Sequence, residues 1–167
     1  MIAITGTPGC GKTTLAALLS AHGFTVTDVH SLARQHDAVL GYDDLDAANV
    51  IDVDALQDVP CDADFIEGHM AHLLPVDGIW VIRIDPDVLG RRLAKRGYTE
   101  TKIAENLEVE AMDLILQESL AAGVPVIQRD GTHRSPEDLL SSFVEVDSTA
   151  LKSHDLEVVD WSDWLLG

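Results

Sequence analysis

The sequence predicts an α/β fold built on a five-stranded parallel sheet with helices on both faces. Short apolar runs alternate with stretches of helical spacing along the whole chain, which is the order of a strand–helix–strand fold. Two of the runs, residues 63–66 and 78–84, are largely apolar without alternation, as expected for strands covered on both faces. The 167 residues fit the length of one domain, so we predict a single domain over residues 1–167.

Five segments have the composition of strands, because they are short, apolar and bounded by Gly, Pro or Asp. In chain order these are residues 1–5, 24–27, 63–66, 78–84 and 124–128. Residues 37–61 show weak periodicity, which is typical of a functional flap or of a loop with small helices of its own. The tail, residues 155–167, carries Trp161 and Trp164 three positions apart, and we expect it to pack a short apolar face on the body.

The helices are predicted from helical spacing and from signals at their ends. Asp85-Pro86 and Ser135-Pro136 each place a capping residue before a proline, and Gly123 ends a long helical stretch. In chain order the predicted helices are residues 13–20, 31–36, 86–95, 101–121 and 136–144.

The N-terminal segment MIAITGTPGCGKTT carries the most specific motif of the chain. Gly6, Gly11, Lys12 and Thr13 fit the pattern G-x-x-x-x-G-K-[ST], with a predicted strand before it and a helix after it. Glycines let backbone N–H groups surround a phosphate, the lysine brings a positive charge to the phosphates, and the threonine hydroxyl is an oxygen ligand for Mg²⁺. The segment predicts a P-loop NTPase fold that binds ATP with Mg²⁺. The alternative is a glycine-rich turn that happens to precede a helix.

Other candidate residues follow the predicted third strand. Ligands of open parallel sheets bind at the carboxyl ends of the strands, where the glycine loop, Asp28 and Glu67 all fall. We predict that Glu67 holds Mg²⁺ together with Thr13 or positions the attacking group; a solvated acid at a strand end is the alternative. His69 is predicted to be a polar or proton-handling group of the site. His72 is predicted to be structural, since two histidines at this spacing lack a third metal ligand of known position.

Basic residues are scarce, so their positions carry information. Arg34 lies beside the predicted flap and could bind an acceptor phosphate. Arg129 and Arg134 follow the fifth strand, where their side chains could form one wall of a pocket for a nucleotide base. Five of the eleven basic residues cluster in one region, which favours anion binding over a solvated face: Arg91, Arg92, Lys95, Arg96 and Lys102.

The net charge of −18 is dispersed along the chain. Such an acidic surface predicts adaptation to high salt, as in a halophilic archaeon, because its self-repulsion is screened only at high ionic strength; an ordinary acidic protein is the alternative. The charge also argues against a broad nucleic-acid surface. The chain lacks an apolar run long enough to span a membrane and lacks a leader pattern, so we expect a cytoplasmic protein that does not bind membranes.

These motifs together resemble the CINAP-type adenylate kinases, small archaeal and eukaryotic nucleoside monophosphate kinase-like ATPases associated with maturation of the small ribosomal subunit. Besides the loop, the resemblance rests on three segments. They are Leu32-Ala33-Arg34, the segment Glu67 to Pro75 that begins E-G-H, and R-G-Y-x-x-x-K-x-x-x-N from Arg96 to Asn106.

The resemblance implies a role for each matching residue. Lys12, Glu67, His69 and Arg96 are the implied catalytic residues. The implied metal ligands are Thr13 and Glu67, and Arg34 would bind the acceptor phosphate. Residues 30–52 would form the monophosphate-binding flap and residues 95–105 a short lid. The residues implied to bind ATP are Gly9, Gly11, Lys12, Thr13, Thr14 and Arg96.

The resulting hypothesis is a Mg²⁺-dependent transfer of the ATP γ-phosphoryl to a nucleoside monophosphate, with AMP favoured and with slow ATPase activity. The D-G-[FY]-P-R signature of metabolic adenylate kinases is missing after the third strand, so we expect broad acceptor tolerance. Two alternatives stay open: a nucleotide-gated assembly factor that binds a small-subunit ribosomal protein or 30S precursor, and another small-molecule kinase. We expect a monomer.

Overall fold

The computed structural model of the protein describes residues 1–43, 48–145 and 154–166. Its strands, numbered in chain order, are β1 (Ile2–Thr5), β2 (Val26–Asp28), β3 (Val39–Asp43), β4 (Ala48–Ile51), β5 (Phe65–Glu67), β6 (Gly78–Arg83), β7 (Val126–Asp130) and β8 (Asp155–Leu156). Six of them form one parallel sheet in the order β2-β5-β1-β6-β7-β8. The other two, β3 and β4, pair antiparallel beside it.

Helices cover both faces of the parallel sheet, which confirms the predicted fold class. They are α1 (Lys12–Ala21), α2 (Val29–Gln35), α3 (Pro86–Lys95), α4 (Glu100–Ala111), α5 (Leu114–Ala121), α6 (Pro136–Val144) and α7 (Ser162–Leu166). The predicted capping residues work as expected: Asp85 accepts from the backbone N–H groups of Asp87 and Val88, and Ser135 accepts from that of Asp138. None of the described helices is long and apolar enough to cross a membrane.

The core has two layers, one on each side of the sheet. Leucines of α1, α3 and α6 pack on one face, where Trp80 stacks on Phe143 with ring centroids 4.8 Å apart. Buried residues of α2 and partly buried residues of α5 pack on the other. All six residues of β6 are buried, because this central strand is covered on both faces. Burial on both faces therefore explains why residues 78–84 are largely apolar, as predicted from the sequence.

The predicted number of five strands was wrong by one, because β8 lies in the segment predicted as a tail. β8 has only two residues, one of them an aspartate, so it has no apolar run from which a strand could be predicted. Ion pairs hold it against β7: Arg129 Nη2 lies 2.6 Å from Asp155 Oδ2, and just after the strand Arg134 Nη1 lies 2.6 Å from Glu157 Oε2. Long-range ion pairs therefore accompany the backbone pairing of β8 with β7, and local propensity does not predict this strand.

The single helix predicted over residues 101–121 was also wrong, because the chain forms α4 and α5 with a break at Asp113. Asp113 adopts a left-handed backbone conformation with φ 57°, which costs a non-glycine residue on the order of 1 kcal/mol. Its carboxylate bonds to the guanidinium of Arg83, a residue that is buried in β6. We attribute the break to this contact, since it offsets the backbone strain and helical spacing alone does not reveal it.

The predicted flap, residues 30–52, contains all of α2 except its first residue, and it contains the β3–β4 hairpin. Its residues 44–47 lie outside the described part of the chain. Asp28 caps α2 by accepting a hydrogen bond of 2.8 Å from the backbone N–H of Ser31. In the predicted lid region, α3 ends at Lys95 and α4 begins at Glu100. Gly97 lies between them with φ 79°, so the expected break between two helices is present.

Candidate active site

The glycine-rich loop joins β1 to α1 at the carboxyl end of the sheet. Gly6, Gly9 and Gly11 all have positive φ angles, of 141°, 93° and 118°. A Cβ atom on Gly6 would lie 2.5 Å from the backbone carbonyl oxygen of Ile82 on the neighbouring strand. The loop can follow this path only because that position is glycine.

Lys12 is buried and reaches back across the loop that precedes it. Its ammonium donates hydrogen bonds of 2.8 Å and 2.9 Å to the carbonyl oxygens of Gly6 and Thr7. Thr13 and Thr14, in the first turn of α1, are exposed. A fixed cation thus lies beside an accessible helix N-terminus, which is the arrangement that binds phosphates.

Glu67 ends β5, which pairs with β1 so that Glu67 lies opposite Ile4. The hydroxyl of Thr13 donates a hydrogen bond of 3.1 Å to Glu67 Oε1. Hydroxyl and carboxylate oxygens are hard ligands, and Mg²⁺ usually takes one or two such protein ligands with phosphate oxygens and waters completing its shell. The pair therefore fits Mg²⁺. Among the described residues, no group of three or more His, Cys, Asp and Glu side chains could hold a metal without a ligand's help.

His69 follows Glu67 by two positions and keeps a neutral ring at pH 7. Burial lowers its pKa from 6.5 to about 4, and repulsion from Lys12 and from neighbouring His30 acts in the same direction. The residue as a whole is nevertheless exposed, so solvent screening moderates this shift. A neutral imidazole can donate or accept a hydrogen bond and brings no charge to a phosphate.

His72 is almost completely buried and bridges two elements. Its Nδ1 lies 3.0 Å from Thr5 Oγ1 at the end of β1, and its Nε2 lies 2.9 Å from Glu118 Oε2 on α5. These contacts fit the structural role predicted for His72.

One open cleft of about 660 Å³ brings most of the candidate residues together. It is lined by residues of the glycine loop and by Thr13, Glu67, His69 and Arg96. The cleft also includes Asp28, which the rule for strand ends places at this edge of the sheet. His30 and Glu118 line it as well, and we did not assign these two to the site from the sequence. His30 lies two positions after the end of β2, so the same rule could have found it. Glu118 lies on α5 and carries no such signal.

Some of the candidate basic residues line the cleft and others lie outside its described lining. Arg34 is exposed, donates to the hydroxyl of Ser31 at 3.0 Å, and is absent from the described lining of the cleft. Arg129 and Arg134 are paired with the acids of β8 and the residue after it. In the basic cluster, Arg96 and Lys102 line the cleft, and Arg92 Nη1 donates to the carbonyl of Gly9 at 3.2 Å.

Comparison with known proteins places the chain among nucleotide-handling P-loop proteins. Residues 2–113 match the family model described as "AAA domain". A protein named "Putative adenylate kinase" from Methanothermobacter thermautotrophicus is 39% identical over 173 residues that cover all of both chains. Proteins of the same name from Archaeoglobus fulgidus and Pyrococcus abyssi are 37% and 34% identical; the matches cover 96% and 98% of this chain and 91% and 92% of theirs. The chain thus belongs to the AAA domain family and to the archaeal family formed by these relatives.

Proposed function

We propose that this protein is a Mg²⁺-dependent kinase that transfers the γ-phosphoryl group of ATP to a nucleoside monophosphate, with AMP favoured and others accepted. The observation that carries the proposal is the convergence of Lys12, Thr13 and Glu67 at one end of the cleft. This arrangement presents a cation and two hard oxygen ligands to the phosphates of a nucleotide. The name of the full-length archaeal relatives supports the same activity.

The chain contributes positioning and charge. Loop N–H groups and Lys12 are assigned to the phosphates. Thr13 and Glu67 would hold Mg²⁺, which would supply positive charge to the transferred phosphoryl group. Arg96 enters the cleft from the lid region and is assigned to the nucleotide phosphates. In the transfer, an oxygen of the acceptor phosphate forms a bond to the γ-phosphorus as the bond to the β,γ-bridging oxygen breaks, leaving ADP.

His69 is assigned as a neutral hydrogen-bonding partner of the reacting groups. Its lowered pKa keeps it from adding a positive charge at pH 7. Lys12 and Arg96 are therefore the residues assigned to supply positive charge to the phosphates. This division follows from the direction of the pKa shift, to which repulsion from Lys12 contributes.

The test is product analysis with ATP and Mg²⁺ at high salt, with and without AMP. We expect ADP formation to rise strongly with AMP, with two ADP formed for each AMP consumed. Lys12→Ala should lower turnover by about 10²-fold or more, since it removes a preorganised cation from the transition state, while circular dichroism shows an intact fold. Turnover retained by this variant would reject the assignment.

A second candidate is an ATPase with water as the acceptor, and the position of Arg34 favours it. This arginine, assigned to the acceptor phosphate, is exposed and lies outside the described lining of the cleft. If the acceptor phosphate has no cationic partner, water can take its place. ADP and free phosphate that form at the same rate with and without AMP would establish this candidate over the first.

We also propose, from the resemblance to the CINAP-type proteins, that nucleotide turnover serves maturation of the 30S ribosomal subunit. The nucleotide state would then set affinity for a small-subunit ribosomal protein. A pull-down of purified small-subunit proteins with and without ATP tests this. Equal capture in both conditions would exclude nucleotide gating.

A further inference from the structure

A buried ion pair lies directly behind the glycine-rich loop, and the proposed mechanism does not use it. Arg83 at the end of β6 and Glu110 near the end of α4 are only 2% and 3% exposed. Arg83 Nε lies 2.7 Å from Glu110 Oε1, and its Nη2 donates to the backbone oxygen of Glu110 at 2.8 Å. Asp113, just beyond α4, accepts a further hydrogen bond from Arg83.

All described partners of the Glu110 carboxylate donate hydrogen bonds to it. Oε1 accepts from Arg83 and, at 3.1 Å, from the backbone N–H of Ile84. Oε2 accepts a hydrogen bond of 2.8 Å from the hydroxyl of Thr7. The pair is thus desolvated but satisfied, and a carboxylate is the side chain that can accept from all three groups at once.

Thr7 is the second residue of the glycine-rich loop and is itself buried. Its hydroxyl binds Glu110, while its backbone oxygen accepts a hydrogen bond of 2.9 Å from the Lys12 ammonium. One residue therefore joins the acid on α4 to the cation assigned to the phosphates.

Helix α4 contacts both the cleft and the glycine-rich loop. Lys102, Asn106 and Glu110 are spaced four residues apart, so they share one face of the helix. The first two line the cleft, and the third binds the loop. A shift of α4 as the lid closes would therefore act on Thr7.

We propose that Glu110 is a positioning residue that ties helix α4 of the lid region to the phosphate-binding loop through Thr7. Arg83 holds the carboxylate in place from the sheet. The inference rests on the proposed nucleotide site and adds a coupling between the lid region and the loop. Loss of the link would leave Lys12 and the loop N–H groups less well ordered for the phosphates, so both ATP affinity and turnover would fall.

Two substitutions break the link from its two sides. Thr7→Val removes the hydroxyl with little change in shape and leaves the carboxylate paired with Arg83. Glu110→Gln keeps the shape, with Asp113 still beside Arg83, but replaces the acceptor that faces Thr7 with an amide. Since each loses a hydrogen bond to a charged group, we expect each to weaken ATP·Mg²⁺ binding and kcat/KM by about tenfold.

The binding constant is measured by calorimetry with ATP·Mg²⁺ and no acceptor, and kcat/KM with AMP present. The double variant should be no worse than the poorer single variant, because both changes break one hydrogen bond. Thr7→Ser, which restores a hydroxyl, should recover most of the loss. Glu157→Gln, which breaks a partly exposed ion pair beside β7, serves as the control for lowered stability and should bind ATP as the unmodified protein does.

Binding by Thr7→Val within twofold of the unmodified protein would overturn the proposal. The proposal would also be overturned if the losses of the two single variants multiplied in the double variant, or if Glu157→Gln lost as much affinity as they do. If the unmodified protein binds ATP but phosphorylates no monophosphate, the proposed function fails separately, and the calorimetric series still decides whether Glu110 positions the loop.

Discussion

Gly6 makes the closest backbone approach in the phosphate-binding loop, and its neighbour there is main chain. A side chain at this position would meet the carbonyl of Ile82 at 2.5 Å and Cys10 Sγ at 2.8 Å. The sulfur can move, but the carbonyl belongs to β6 and is held by the sheet. Steric exclusion, together with the positive φ, therefore requires glycine here.

Gly6→Ala should lower the free energy of unfolding by about 3 kcal/mol, because overpacking and backbone strain act together. Gly23→Ala is the matched control, since Gly23 also has a positive φ, of 92°, but nothing lies within 4 Å of its Cβ position. That variant should lose only about 1 kcal/mol. Urea unfolding measures both, and equal losses would show that contact with Ile82 contributes nothing.

The hydrogen bond between Thr13 and Glu67 places the predicted metal ligands side by side. Glu67→Gln keeps the size of the side chain but removes the anionic oxygen, so we expect the Mg²⁺ concentration for half-maximal activity to rise about tenfold at fixed ATP, the scale of one charge-assisted contact. The control Glu137→Gln changes an exposed acid on α6 and should leave the Mg²⁺ dependence unaltered. An unaltered Mg²⁺ dependence in Glu67→Gln would remove Glu67 from the metal site.

At the scale of elements, β8 shows how charged groups can complete a sheet. The hydrogen bond from Arg134 lowers the pKa of Glu157 below its ordinary 4.5, although partial burial acts in the opposite direction. Because the folded protein favours the ionised acid, this pair stabilises the fold at pH above 4.5, and the contribution disappears as the pH falls through the lowered pKa.

Glu157→Gln should therefore lower the free energy of unfolding by up to about 1 kcal/mol at pH 7, the scale of a partly exposed ion pair. The difference between the variant and the unmodified protein should shrink as the pH falls below 4.5. Denaturant unfolding at a series of pH values measures it. A difference that stays constant down to pH values where carboxylates are protonated would mean that the ion pair does not hold β8.

For the whole molecule, the dominant electrostatic quantity is the net charge of −18. Acidic side chains repel one another across the surface, and salt reduces this repulsion by shortening the distance over which charges interact. The fold itself buries its apolar residues in two ordinary layers, so we assign the expected salt dependence to the surface.

The melting temperature should rise when KCl is increased from about 0.1 M to about 1 M, because the Debye length falls from about 10 Å to about 3 Å. Sucrose of equal osmolality controls for solvent exclusion without screening charges and should have a smaller effect. A melting temperature that does not respond to KCl would reject a salt-adapted surface.

Local patterns by themselves determined the fold class and the location of the phosphate-binding loop. Apolar runs, capping residues and glycine spacing act over a few residues, so the buried β6, the caps at Asp85 and Ser135, and the loop from Gly6 to Lys12 could all be predicted. The rule for strand ends likewise led to Glu67, although the role of that residue remains a prediction.

Only the tertiary structure decided the features that depend on charges from distant segments. Arg83 meets Glu110 and Asp113 across more than twenty-five positions of sequence, and this contact accompanies both the break between α4 and α5 and the support of Thr7. Arg129 and Arg134 likewise form ion pairs with acids of β8 and of the residue after it. An ion pair leaves no periodic trace in either of its segments, because its energy depends on a distance that exists only after the chain has folded.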